Sequence, residues 1–145
     1  MKLPWIYLDT STYLKLYVKE KGSEEARNLV KKNRILSSAI LLTESFSALS
    51  RKTQRGEIDK VDFDTLVTRI KKDSEYIEII KLTDEVLTMA EEVALRSTAR
   101  ALDTIHVASA LIFQETTKIK LTFVTSDRRQ KEFASHQELM TSFVG

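Results

Sequence analysis

The chain has 145 residues, with 23 Lys and Arg against 21 Asp and Glu, and therefore a formal net charge of +2 at pH 7. Its 42% hydrophobic and 30% charged residues are typical of a globular protein, and we expect residues 1–145 to form one domain. Three glycines and one proline are too few for an all-β fold or a glycine-rich phosphate loop, and the lack of cysteine excludes disulfides and thiol nucleophiles. No apolar run approaches the ~18 residues of a membrane span, so we expect no membrane segment, and a reducing cytoplasm suits the chain.

Short apolar runs alternate with helical patterns along the sequence. The first half predicts a buried strand at 5–9, helices at 10–19 and 23–32, a strand at 34–38, and helices at 39–54 and 59–73. The second half predicts a strand at 76–80, helices at 83–95 and 103–116, a strand at 121–125 and a short helix at 126–134. The tail at 138–144 is either a fifth strand or an edge segment. Strands separated by helical crossovers predict an α/β fold with a mostly parallel sheet.

Four acidic residues stand out by their position. Asp9 and Asp127 follow the first and fourth predicted strands, and ligands bind at the carboxyl ends of the strands in an open parallel sheet. Their carboxylates converge if those strands are neighbours. Glu44 and Asp103 lie on apolar helices, where an ionised carboxylate is costly unless it is paired or binds a metal. Four convergent carboxylates suit Mg²⁺ or Mn²⁺, which activate water for phosphodiester hydrolysis.

A structural interpretation of each acid stays open. The three aspartates stand at predicted helix starts, where Asp is a favoured N-cap, as is expected of Asp84. Glu44 is a surface residue if the helix is shifted by one position. The hydroxyls near Asp9 and Asp127 either orient carboxylates or form local turns, and His106 fits a packed or supporting role better than that of a general base. Nearby arginines, among them Arg100 and Arg51, either contact a phosphate backbone or are solvated surface charges.

The segments around the four acids resemble the motifs of the PIN domain family, specifically of VapC-type toxin ribonucleases. The similar segments are 7–11 (YLDTS), 43–49 (TESFSAL), 100–110 (RALDTIHVASA) and 123–129 (FVTSDRR), of which the third is the most specific. The resemblance spans about residues 5–135. The third motif has Thr104 where the family often has Ala, a change that should not disturb metal binding.

The resemblance implies a PIN-like domain with a central sheet in the order 3-2-1-4-5 and a Mg²⁺- or Mn²⁺-dependent endoribonuclease activity. It implies that Asp9 and Asp103 are the firmest metal ligands and that Glu44 holds or helps to deprotonate a metal-bound water. Asp127 would support a second metal or the surroundings of the first, with help from Thr10 or Ser126. The resemblance also implies a homodimer and a small inhibitory antitoxin.

Two alternatives to a toxin remain at this stage. One is a PIN-domain nuclease of RNA processing, which a single sequence does not distinguish from a toxin. The other is a non-catalytic PIN-like binding module, although such a module has no need of four clustered carboxylates. A phosphate-accepting receiver domain is disfavoured because no second acid stands beside Asp9.

Overall fold

The computed structural model describes residues 2–145. Its five strands are β1 (Trp5–Leu8), β2 (Arg34–Ser38), β3 (Glu78–Ile80), β4 (Thr122–Thr125) and β5 (Met140–Phe143). Its α-helices are α1 (Thr10–Leu14), α2 (Ser23–Lys32), α3 (Leu41–Gln54), α4 (Lys60–Asp73), α5 (Asp84–Leu95), α6 (Ala101–Thr117) and α7 (Arg128–Ser135). A 3₁₀ turn, Ser74–Tyr76, precedes β3.

The strands form one parallel sheet in the order β3-β2-β1-β4-β5, which confirms the predicted α/β class and strand order. In register, Tyr7 of β1 pairs with Leu36 of β2 on one side and with Phe123 of β4 on the other. The chain builds the sheet outward from β1 to β3 and then returns to the other side of β1. The topological switch point therefore lies between β1 and β4, where this class of fold places its ligands.

The alternation of side chains along β1 and β4 divides the core into two layers. Ile6, Leu8 and Val124 face a cluster that includes Tyr13 and Leu41 of the first helices. Tyr7 and Phe123 point to the opposite face, where they pack with residues of α5, α6 and α7. Because successive residues of a strand point to opposite faces, two short apolar strands anchor both helical layers.

The structure differs most from the sequence prediction in two segments and decides a third. The first helix ends at Leu14 rather than at Lys19. Beyond it the amides of residues 15–17 bond to carbonyls three positions back in tighter turns, and the buried Lys15 side chain donates to Glu20 and to the Lys21 carbonyl. The third strand is confined to Glu78–Ile80 because the preceding residues form the 3₁₀ turn. The ambiguous tail forms strand β5, paired in parallel with β4.

Candidate active site

Asp9 follows β1 directly and is buried, with 5% of its surface exposed. Its Oδ1 accepts hydrogen bonds from the Ser11 hydroxyl at 2.7 Å and the Thr12 amide at 3.2 Å, and its Oδ2 accepts one from the Thr125 hydroxyl. Burial raises the pKa of Asp9, although the nearby His106 and these hydrogen bonds act in the opposite direction. Asp9 thus caps α1 and is also held in a fixed orientation at the switch point.

The same two hydroxyls connect Asp9 to the chain that follows β4. The Ser11 hydroxyl accepts a hydrogen bond from the Ser126 amide at 2.9 Å, and the Thr125 hydroxyl accepts one from the Asp127 amide at 3.1 Å. Each hydroxyl therefore donates to Asp9 and accepts from the backbone. This arrangement fixes the backbone path that leads from β4 to Asp127.

Glu44 lies in the first turn of α3 and contacts residues of β1, α1 and α6 through a short network. Its Oε1 accepts a hydrogen bond from the Thr10 hydroxyl at 2.7 Å and lies 2.6 Å from Nε2 of His106. The other imidazole nitrogen, Nδ1, lies 2.7 Å from the hydroxyl of Tyr7. Both contacts reach Oε1, and no residue in the range 2–145 donates to Oε2, which is therefore available to another ligand.

The carboxylate end of this network fixes the direction of one of its contacts. Because an ionised carboxylate only accepts hydrogen bonds, Nε2 of His106 carries a hydrogen and donates to Glu44. Burial raises the pKa of Tyr7 well above its ordinary value, so its hydroxyl keeps its proton and forms a neutral hydrogen bond with Nδ1 of His106. Burial by itself would raise the pKa of Glu44, but the hydrogen bond and charge of His106, with help from Thr10, lower it. Glu44 is thus held as an oriented carboxylate.

Asp103 lies in the first turn of α6 and is held differently. The N-cap position of α6 is Arg100, and within residues 2–145 no donor reaches the Asp103 carboxylate. Burial raises the pKa of Asp103, and the charges of Asp127, Asp9 and Glu44 raise it further, against the opposing effect of His106. Asp103 therefore lies within electrostatic reach of the other three acids.

Asp127 is the most exposed of the four acids and caps α7. Its Oδ1 accepts hydrogen bonds from the amides of Arg129 at 2.9 Å and Gln130 at 3.4 Å. The side-chain amide of Gln130 in turn donates to the Asp103 carbonyl at 3.3 Å. The capping interpretation therefore applies to Asp9 and Asp127, whereas the Asp103 carboxylate caps no helix.

The donor set has the chemistry of a divalent-cation site but not its ready-made geometry. No group of three or more His, Asp or Glu side chains among the described residues is close enough to hold a metal ion as it stands. The carboxylates nevertheless raise the pKa of Asp103 by their charge, and a hard cation with oxygen ligands would relieve that repulsion. Glu44 Oε2 and the Asp103 carboxylate have no hydrogen bond to give up, so these residues fit such an ion.

The supporting residues singled out in the sequence lie in different surroundings. Thr10 donates to Glu44, as described above. The Ser126 hydroxyl lies 3.0 Å from that of Thr12, and its backbone amide rather than its side chain serves the Asp9 network. Arg100 is exposed at the start of α6, one turn before Asp103. Arg51 donates to Ser47 on the exposed side of α3.

Sequence reasoning missed the part that Tyr7 plays. Its place in an apolar strand predicts burial, and the only available signal for more is the hydroxyl of a tyrosine placed two residues before Asp9. Its partner His106 lies 99 positions further along the chain. Only the packing of α6 on the β1 face brings the two together.

No helix in the described part of the chain combines the length and the apolar character needed to cross a membrane.

Comparisons with known proteins agree with this architecture. The family model of the PIN domain matches residues 6–135. No curated protein sequence matches the chain. VapBC2 from Rickettsia felis, bound to a DNA fragment from its promoter, has a similar structure, with a TM-score of 0.70 and 16% identity over 97% of this chain and 99% of that chain. DNA-bound VapBC from Salmonella typhimurium gives a TM-score of 0.69 with 14% identity over 99% of both chains. PAE2754 from Pyrobaculum aerophilum has a TM-score of 0.62, with 20% identity over 97% of this chain and 90% of that chain. The match over nearly the whole sequence shows that this chain belongs to the PIN domain family.

Proposed function

We propose that this protein is a Mg²⁺- or Mn²⁺-dependent endoribonuclease and the toxin of a toxin–antitoxin pair. The observation that carries the proposal is the electrostatic effect of three acids from separate segments on a fourth, Asp103. Each of the other three charges raises the pKa of Asp103, so the carboxylates form one electrostatic unit. Such a cluster is costly to a fold unless it serves a cation or a reaction.

Asp9 and Asp103 are the residues that would hold the cation. Asp9 is held by three donors, whereas no described residue donates to the Asp103 carboxylate. A bound Mg²⁺ or Mn²⁺ supplies a Lewis acid and lowers the pKa of water at a phosphodiester. Glu44 is oriented through Oε1, and its Oε2 would orient a water molecule or accept its proton. Asp127, at the exposed rim, adds negative charge for the cation or for a second one.

The remaining residues of the site act through these carboxylates. The hydroxyls of Ser11 and Thr125 keep Asp9 in place, and His106, itself held by Tyr7, keeps Glu44 in place. Such supporting contacts usually change metal affinity or activity by roughly 10- to 100-fold when removed. Asp9 and Glu44 are therefore oriented by hydrogen bonds, whereas Asp103 is not.

An antitoxin partner, a homodimer and a cytoplasmic location belong to the same proposal. The similar structures include VapBC complexes and a toxin–antitoxin complex from Klebsiella pneumoniae, with a TM-score of 0.56. An intracellular RNA substrate and an antitoxin would both meet the protein in the cytoplasm. A short neighbouring reading frame whose product binds this protein and blocks its activity would support the toxin, and its absence would favour an RNA-processing nuclease.

A cleavage assay tests the enzyme activity. The purified, antitoxin-free protein is incubated with structured and unstructured RNA in Mg²⁺, in Mn²⁺ and in chelator, beside Asp9→Asn. The matched control is Asp84→Asn, which removes a carboxylate from the start of α5 outside the site. We expect metal-dependent cleavage by the wild type and the control, and none by Asp9→Asn. Equal cleavage by Asp9→Asn would exclude the proposed site, and a wild type inactive on every RNA with either metal would favour a binding module.

A further inference from the structure

A groove of about 580 Å³ opens beside the carboxylate site. Its walls come from the start of α6, the segment between α5 and α6, and α7. Asp103 is one of its lining residues, so the groove is continuous with the site. We refer to it as the α6–α7 groove.

Three exposed arginines line this groove, namely Arg96, Arg100 and Arg129, against two acids, Asp103 and Glu132. Arg96 donates to the Gln137 side chain at 2.8 Å, a neutral partner that leaves its charge uncompensated. Neither Arg100 nor Arg129 forms an ion pair with any residue of the range 2–145. The three arginines therefore exceed the two acids by one formal charge without a cation, and by two if a cation neutralises Asp103.

The backbone of α6 adds to this positive field. The helix has 17 residues, and no side chain in the described structure caps its N-terminus. Its first amides therefore lack intrahelical partners, and the helix dipole favours an anion at this end. Arg100 occupies the N-cap position, so its guanidinium and these amides belong to the same wall of the groove.

The positive charge of the α6–α7 groove does not extend into the neighbouring cavity. A second cavity of about 710 Å³ adjoins the groove and shares Arg96 with it. Its basic residues are Arg96, Lys118 and Lys120, and its acids are Glu92, Glu115 and Glu138, so its formal charges cancel. A polyanion is therefore favoured along the α6–α7 groove and not beyond Arg96.

We propose that the α6–α7 groove binds the sugar–phosphate backbone of the RNA strand next to the phosphate that is cleaved. Arg100 and Arg129 contact phosphates, and Arg96 marks the far end of the bound segment. This inference rests on the proposed nuclease function and names the path of its substrate. The path follows from continuity, because a strand with one phosphate near Asp103 must leave the site over a neighbouring surface, and this one has uncompensated arginines.

The test measures binding apart from cleavage. A fluorescently labelled 12-nucleotide single-stranded RNA is titrated with the protein in chelator, over a series of salt concentrations. For the double variant Arg100→Gln/Arg129→Gln we expect an affinity lower by about tenfold or more. The slope of log affinity against log salt should fall by about 1.4, which is roughly 0.7 for each lost phosphate contact. The double variant Arg100→Lys/Arg129→Lys keeps the charges. It should retain most of the RNA affinity and most of the slope of its salt dependence.

The matched control removes two charges from the adjoining cavity. Lys118→Asn/Lys120→Gln lowers the net charge by the same amount, and Asn suits the positive φ of position 118. This control should bind RNA within about twofold of the wild type. Equal losses in the two double variants would reduce the effect to net charge and overturn the proposal, as would unchanged binding by the arginine variant. Melting temperatures confirm that the variants are folded.

The same proteins distinguish this inference from the proposed function. Loss of RNA binding in the arginine variant together with a wild type that cleaves no RNA would keep the groove and reject the nuclease. A wild type that cleaves RNA, with an arginine variant that binds and cleaves equally well, would reject the groove alone. Polyglutamate is titrated in parallel. If the arginine variant loses polyglutamate binding but keeps RNA binding, the groove is a site for an acidic polypeptide and the RNA assignment is wrong.

Discussion

Asp9 and Asp103 belong to the same proposed site but are held in opposite ways. Asp9 is buried and accepts hydrogen bonds from two hydroxyls and an amide, whereas no described residue donates to the Asp103 carboxylate. Burial is the main cause of the raised pKa of both, and neighbouring carboxylates raise that of Asp103 further. The contrast indicates that hydrogen bonds fix the orientation of the Asp9 carboxylate, whereas Asp103 is repelled by neighbouring carboxylates. A bound cation would relieve that repulsion.

The largest expected effect is on catalysis by Asp9→Asn and Asp103→Asn. Each substitution removes a negatively charged oxygen that would bind the cation, so transition-state stabilisation by the cation would be lost. A loss of several kcal/mol corresponds to a fall of roughly 10³-fold in kcat/KM. Steady-state cleavage of a labelled RNA in Mg²⁺ measures this loss. Asp84→Asn should stay within about twofold of the wild type, and an Asp103→Asn enzyme as active as the control would remove Asp103 from the site.

Thr125→Val tests the hydrogen bonds that orient Asp9. It removes the donor to Asp9 Oδ2 and leaves the Asp127 amide without its acceptor. We expect a loss of about 1–3 kcal/mol in the free energy of unfolding and roughly 10- to 100-fold in activity. Denaturant unfolding and the cleavage assay measure the two. Thr122→Val, the same substitution at the start of β4, should cost much less in activity, and a similar loss there would mean that the strand rather than the hydrogen bond matters.

Tyr7→Phe tests the orientation of Glu44. The ring stays in the core, but Nδ1 of His106 loses its hydrogen-bond partner, so the imidazole that donates to Glu44 is held less firmly. We expect about a tenfold fall in kcat with little change in RNA binding. Tyr13→Phe is the control, because Tyr13 is equally buried and its hydroxyl contacts Tyr17 instead of the site. Equal effects of the two substitutions would assign the change to packing.

Asp103→Asn should stabilise the metal-free protein while it abolishes activity. It removes a charge that burial and three carboxylates oppose more strongly than His106 favours it, and it loses no hydrogen bond, so we expect a higher melting temperature at pH 7. Asp9→Asn should gain less, because its amide nitrogen would face a hydroxyl that now donates to Asp9. Thermal unfolding in chelator measures both. A destabilised Asp103→Asn protein would show that the carboxylate has a partner of its own.

The pH dependence of stability gives the smallest effect and has a definite sign. Because the folded-state pKa of Asp103 is raised, the folded state holds this proton more tightly than the unfolded chain. Protonated Asp103 therefore adds its full contribution to the free energy of unfolding when the pH is below 3.8, the ordinary pKa of an aspartate. This contribution is lost as the pH rises through the folded-state pKa. Melting temperatures in chelator should therefore fall less with rising pH in Asp103→Asn than in the wild type. Added Mg²⁺ should raise the melting temperature of the wild type only, and parallel curves with and without the substitution would contradict the raised pKa.

The sheet and the acids at its edge were largely predictable, because short sequence patterns indicate both. The apolar runs ending at Asp9 and Thr125, with helical patterns between them, predict a parallel sheet and acids at its edge. The motif around Asp103 indicates the family. Helix ends were less predictable, as the early end of α1 shows, because the apolar spacing of residues 15–17 does not distinguish an α-helix from the tighter turns found there.

The sequence by itself determined which residues are strand, helix and candidate acid, since hydrophobic period and capping depend on near neighbours. Only the tertiary structure decided how those acids are held. The Thr125 hydroxyl meets Asp9 across 116 positions, His106 meets Glu44 across 62, and Arg100 and Arg129 come to one groove from different helices. These contacts arise from the return of the chain to the other side of β1, and no local pattern specifies the partner of a side chain that far away.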